Sequence, residues 1–185
     1  MQLTAIGMVE TSSIASGIDA QDAMLKAASV ELLVARTICS GKYIVIVAGD
    51  VAAVRASVDA GMQRTEQSLV EELVIPNVHR SVFPALGQAV VLAPGDVDAL
   101  GIIESFSAAS IIEAADAAAK AAEVILFRVH VAMAVGGKGY LLLTGDVAAT
   151  EAAVAAGAAL VSKRGMLVNR VVIPRPRPEL FQEYC

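Results

Sequence analysis

The chain has 185 residues, a net charge of −5, 18% charged and 56% hydrophobic residues, and a mean hydropathy of +0.65. Its acidic balance, the absence of Trp and an aromatic fraction of 4% exclude a basic or base-stacking nucleic-acid surface, and two cysteines, Cys39 and Cys185, are too few for a disulfide framework. The uncharged stretch Phe83 to Gly95 contains two prolines and falls short of the roughly 20 apolar residues of a membrane span, so no membrane contact is expected.

In chain order, Ala5 to Glu10 is a short β-branched and apolar run closing on Thr11-Ser12-Ser13, a strand followed by a turn. After Gly17, read as a break, Ile18 to Ala28 has helical apolar spacing through Ile18, Ala20, Ala23, Met24 and Ala27. Val30 to Ile38 and Tyr43 to Ala48 read as strands of a hairpin about Ser40-Gly41-Lys42. Asp50 is placed as the N-cap of a helix from Val51 to about Glu66. Leu69 to Ile75 is a fourth strand, ended by Pro76, and residues 79–86 read as a short terminal helix. A linker, 87–98, carries the turn signal Pro94-Gly95.

The order then starts again. Strands are expected at Ala99 to Glu104, Val124 to Ala134, Gly139 to Thr144 and Leu167 to Ile173, with helices at Ile111 to Ala122 and Val147 to about Ser162. The residues themselves recur: Ala5-Ile6-Gly7-Met8-Val9-Glu10 returns as Ala99-Leu100-Gly101-Ile102-Ile103-Glu104, 94 positions on. Gly49-Asp50-Val51-Ala52 returns at an offset of 96 and Val74-Ile75-Pro76 at 98. A period this long makes each copy a globular fold rather than a solenoid unit. The expected fold class is α+β: two tandem ferredoxin-like domains, 1–86 and 99–185, each with helices on one face of an antiparallel sheet. Tandem copies stand in for a symmetric pair, and the apolar excess suits surface buried between subunits.

No catalytic set emerges. Glu10 and Glu104 match because the domain recurs and are read as structural strand ends; Asp50 and Asp146 are read as helix caps. His79 and His130 fall at unmatched positions without metal-ligand spacing, so no metal is expected. Val135-Gly136-Gly137-Lys138-Gly139 lacks the spacing of a phosphate-binding loop. It reads as a hairpin turn enlarged by two residues relative to Ile38-Cys39-Ser40-Gly41-Lys42, which marks the one place where the copies differ most.

The stretches Gly7-Met8-Val9-Glu10-Thr11, Asp22-Ala23-Met24-Leu25-Lys26-Ala27-Ala28, Ser40-Gly41, Gly49-Asp50-Val51 and Ile173-Pro174-Arg175-Pro176 resemble bacterial microcompartment shell domains. The resemblance covers nearly the whole chain in two registers, with unpermuted strand order, and is nearest the tandem-domain type of propanediol utilisation. It implies a cytoplasmic, non-enzymatic shell protein whose homotrimer forms a pseudo-hexameric tile beside other shell proteins. Tile-edge contacts would fall to Lys26, Lys120 and Arg175, with Asn77 standing where copy one would carry the edge arginine. A central pore would be lined by Cys39, Ser40, Gly41, Gly136, Gly137, Lys138 and Gly139, with loop backbone and three Lys138 side chains favouring small polar or anionic metabolites. Some relatives hold an iron–sulfur cluster on the axis through pore-loop cysteines. Residues 131–140 contain none, so no cofactor is expected; an electron conduit through three Cys39 thiolates is the alternative, and a ferredoxin-like small-molecule sensor the other.

Overall fold

The computed structural model describes residues 3–93, 97–131 and 136–181. The first half runs β1 (Ala5–Thr11), α1 (Ile14–Ala27), β2 (Glu31–Ile38), β3 (Lys42–Gly49), α2 (Val51–Arg64) and β4 (Leu69–Pro76), followed by the short α3 (Val82–Leu86). The second runs β5 (Ala99–Ser105), α4 (Ala108–Ala121), β6 (Ile125–Val131), β7 (Gly139–Gly145), α5 (Val147–Lys163) and β8 (Leu167–Pro174), and a 3-10 turn at Pro178–Phe181 follows. Each half forms a four-stranded antiparallel sheet, in the orders β2-β3-β1-β4 and β6-β7-β5-β8. The duplication extends to register: Ala5 faces Gly49 and Pro76, as Ala99 faces Gly145 and Pro174. Even the irregularities repeat, at Glu10/Thr11 and Glu104/Ser105 and at Leu32/Val34 and Leu126/Arg128.

The side-chain alternation of a strand sorts residues onto two faces. In the first half Ala5, Val9, Val45 and Val47 pack with Met24 of α1 and with Val54 and Val58 of α2. In the second, Leu100 and Leu142 lie on the face away from the helices, where Leu92 of the linker and Phe181 close over them beside Phe127. The chain forms two compact units: the first runs to Arg80 and takes in Gly136 and Gly137, and the second begins at Ser81 and holds α3, which packs against β6 and α4.

The helix caps are those expected: Asp50 accepts from the Ala53 amide at 2.8 Å and Asp146 from Ala149 at 2.7 Å. Two helix starts differ from expectation. α1 begins at Ile14, capped by Ser13 accepting from the Ser16 amide, so Gly17 is inside the helix. α4 likewise begins at Ala108, capped by Ser107. The physical reason at Gly17 is space. A Cβ there would lie 2.6 Å from Tyr43 Cβ on β3, so the glycine marks a close approach and not a stop. The second half reverses the sizes. Ile111 stands in the position of Gly17, and Gly139, in the position of Tyr43, would bring a Cβ within 2.8 Å of Ile111 Cγ2. The linker signal Pro94-Gly95 and the end of the expected strand, 132–134, lie outside the described residues.

Candidate functional site

The β2–β3 turn holds Cys39, Ser40 and Gly41, with φ of 67° at Ser40 and 75° at Gly41. Its counterpart between β6 and β7 holds Gly136 and Gly137 at 65° and 84°. Two successive left-handed residues give the sharp reversal that matches strand twist, and glycine enters that region without a Cβ penalty. The register locates the enlargement inferred from the sequence. Thr37 pairs with Tyr43 across five intervening residues, and Val131 with Gly139 across seven. Gly139 is therefore the first residue of β7, buried and packed on Ile111, and not part of the turn. Cys39 is a half-buried thiol in the smaller turn.

Each turn ends in a lysine, and each lysine is ion-paired. Lys42 binds Glu10, whose side chain is only 3% exposed. Lys138 Nζ lies 2.9 Å from Glu104 Oε1, with side chains 36% and 34% exposed, and 6.0 Å from the ring centre of Phe106. The strand-end glutamates each take an ion pair, and their partners are the lysines of the turns. His130 stacks on Tyr140 across β6 and β7, with ring centres 4.8 Å apart and an interplanar angle of 15°. No group of three or more His, Cys, Asp or Glu that could hold a metal occurs among the described residues.

The helices carry the remaining candidates. Lys26 pairs with Asp22 and Lys120 with Asp116, each at 2.6 Å and one helical turn away. Asp22 is well exposed, whereas Asp116 is nearly covered. Arg175 follows Pro174 with φ of 46°, as Asn77 follows Pro76 with φ of 53°; Asn tolerates that region better than Arg.

One feature escaped the sequence reading. Ile18 shares the helical apolar spacing of Ala20 and Met24, yet it is 53% exposed, and Ile14 and Leu25 on α1 are exposed with it. The repeat-related residues of α4, Ala108, Ile112 and Ala119, are buried, Ile112 completely at 0%. The same isoleucine therefore sits in water in one copy and in a core in the other. The only signal available in the sequence was the repeat alignment, which pairs Ile18 with Ile112.

Comparison with known proteins agrees with this duplication. The BMC domain family model matches twice, over residues 5–78 and 99–176. The bacterial microcompartment shell protein PduT of Citrobacter freundii is 44% identical over 182 residues, covering 97% of this chain and 96% of that protein. PduA of the same organism, also a microcompartment shell protein, is 42% identical over 92 residues, or 49% of this chain and 99% of its own. The crystal structure of a microcompartment protein from Desulfitobacterium hafniense DCB superimposes with a TM-score of 0.93 at 51% identity, with both chains fully covered. With a BMC domain in each half and a shell protein matching it end to end, the chain belongs to the bacterial microcompartment shell proteins, in their tandem-domain form.

Proposed function

We propose that three copies of the chain join head to tail about a threefold axis into a pseudo-hexameric disc, and that such discs tile with other shell proteins into the wall of a cytoplasmic microcompartment. The observation that carries this reading is the unequal burial of two equal helices. In the second unit α3 packs on α4, and the Ile112 face is buried; on α1 the matching face, Ile14, Ile18 and Leu25, is bare. A neighbouring chain supplying to α1 what α3 supplies to α4 repeats one contact around a ring, which closes when the rotation fits. Lys26, Lys120 and Arg175 belong to contacts between tiles. The turns at 39–41 and 136–138 border a central pore for small metabolites, and the protein acts as a wall, not as a catalyst.

The test is Ile18→Asp, with Ile18→Ala as the milder variant. The wild type is expected to run as a trimer by light scattering and to form discs in electron micrographs. Ile18→Asp is expected to yield folded monomers, because the exposed side chain leaves the core of its own unit intact. A monomeric wild type, or a trimer unaffected by the aspartate, contradicts the reading.

Cys39 supports a second reading. One half-buried thiol in the small turn of each chain gives three thiolates around a threefold axis, a donor set of the kind iron–sulfur clusters use. Within one chain the described residues offer no such set. Brown, iron-containing protein after anaerobic purification, turned colourless by Cys39→Ser, supports it; colourless protein after reconstitution with iron and sulfide removes it.

A further inference from the structure

We infer that the β6–β7 turn presents a charge-neutral surface selective for uncharged, hydrogen-bonding molecules over anions, and that Glu104 is the residue that sets this selectivity. The inference rests on the pore reading for its consequence, but not for its geometry. Three observations support it. First, the lysine at the end of each turn is matched by a glutamate from the adjoining central strand, Lys42 by Glu10 and Lys138 by Glu104. An anion approaching either ammonium meets the carboxylate as well, so attraction is largely cancelled at a few ångströms. Second, no other ionisable charge lies between Ile38 and Lys42 or between Val131 and Lys138. Among the described residues the turns offer the Ser40 hydroxyl and the backbone groups of Ser40, Gly41, Gly136 and Gly137, whose left-handed φ belongs to turns with accessible amides. Third, the two pairs differ in one respect. Glu10 is 3% exposed and locked, whereas Glu104 and Lys138 are about one-third exposed and the Lys138 ammonium also lies 6.0 Å from the Phe106 ring centre. Of the two glutamates, Glu104 alone is open to a solute and can be neutralised without altering a buried side chain. The sequence-based expectation that Lys138 draws anions is thereby revised. The lysine is present at the turn, but its charge is already answered.

Glu104→Gln tests the inference, with two readouts. The first needs no pore: lysines carrying carbon-13 methyl groups are observed by NMR during titration with inorganic phosphate, and Lys138→Gln assigns the signal. In the wild type the Lys138 signal is expected to stay unmoved at millimolar phosphate, and in Glu104→Gln to shift in a saturable way. Equal phosphate response in wild type and variant overturns the inference. The second readout is the reversal potential across planar bilayers holding the protein in a potassium chloride gradient. Near-equal passage of both ions in the wild type and a several-fold preference for chloride in Glu104→Gln support it. A wild type already preferring chloride overturns it. Absence of any conductance, with the phosphate result as expected, overturns the pore reading while supporting the neutral pairing.

Discussion

The two halves of the chain make one contact in opposite ways. In the first, a helix glycine, Gly17, lies against a large strand residue, Tyr43; in the second, a large helix residue, Ile111, lies against a strand glycine, Gly139. The backbone arrangement, including strand order and register, is the same in both. What the fold requires at this spot is thus one large and one small residue, on either side. The same distinction between shared scaffold and differing detail runs through the molecule. The ion pair at each turn is kept, but its glutamate is buried in one half and open in the other, and the isoleucine of each first helix is kept but is covered in one half only.

The size exchange is the sharpest place to break the comparison. Gly17→Ile forces a branched side chain into space held by Tyr43, whose Cβ would be 2.6 Å from even a methyl group. A loss of about 3 kcal/mol or more by urea denaturation is expected from overpacking of this severity. Adding Tyr43→Gly reproduces the second-half pairing, and the double variant should recover a measurable part of that loss. A double variant worse than the sum of its parts counts against interchangeable sizes.

The ion pairs give the next contrast. Glu10→Gln removes the buried member of its pair and leaves the partly exposed Lys42 without it, with an expected loss of about 2 kcal/mol. Glu104→Gln breaks a pair open to solvent and should cost less than about 1 kcal/mol. Equal losses in parallel urea titrations refute the distinction between a locked and an open turn.

Two smaller effects use one copy as the guide for the other. Thr150 is fully buried, and its hydroxyl has no hydrogen-bond partner, where the first half carries Val54. Thr150→Val is expected to stabilise the protein by about 1 kcal/mol, since an unpaired buried hydroxyl is replaced by a methyl group of similar size. Arg175 holds φ of 46° where the first half uses Asn77. Arg175→Asn should raise stability by a few tenths of a kcal/mol, relieving a left-handed residue that asparagine accepts more readily. A thermal melt that falls in either variant rejects the corresponding assignment.

Local and repeated signals were legible in the sequence; contacts between distant residues were not. The caps Asp50 and Asp146, the strand boundaries and the duplication all follow from neighbouring residue types or from self-comparison. Gly17 was misread because helical periodicity cannot distinguish a glycine that ends a helix from one that lets a strand come close. At Ile18, periodicity names the apolar face of the helix but says nothing of whether the chain itself covers it. The partner of Lys138 lies 34 residues away in sequence, and Gly139 falls both in the expected turn and at the start of the expected strand, an ambiguity that only strand pairing resolves.

The unequal faces of α1 and α4 bear the central claim, that this shell protein completes its buried surface with a second copy of itself. Native mass spectrometry of the wild type and Ile18→Asp, side by side, tests it most directly. The account predicts a wild-type particle of three times the 19.0 kDa chain and a variant at one chain mass with an unchanged circular dichroism spectrum. Wild-type protein at a single chain mass, or a variant that keeps the threefold mass, contradicts it.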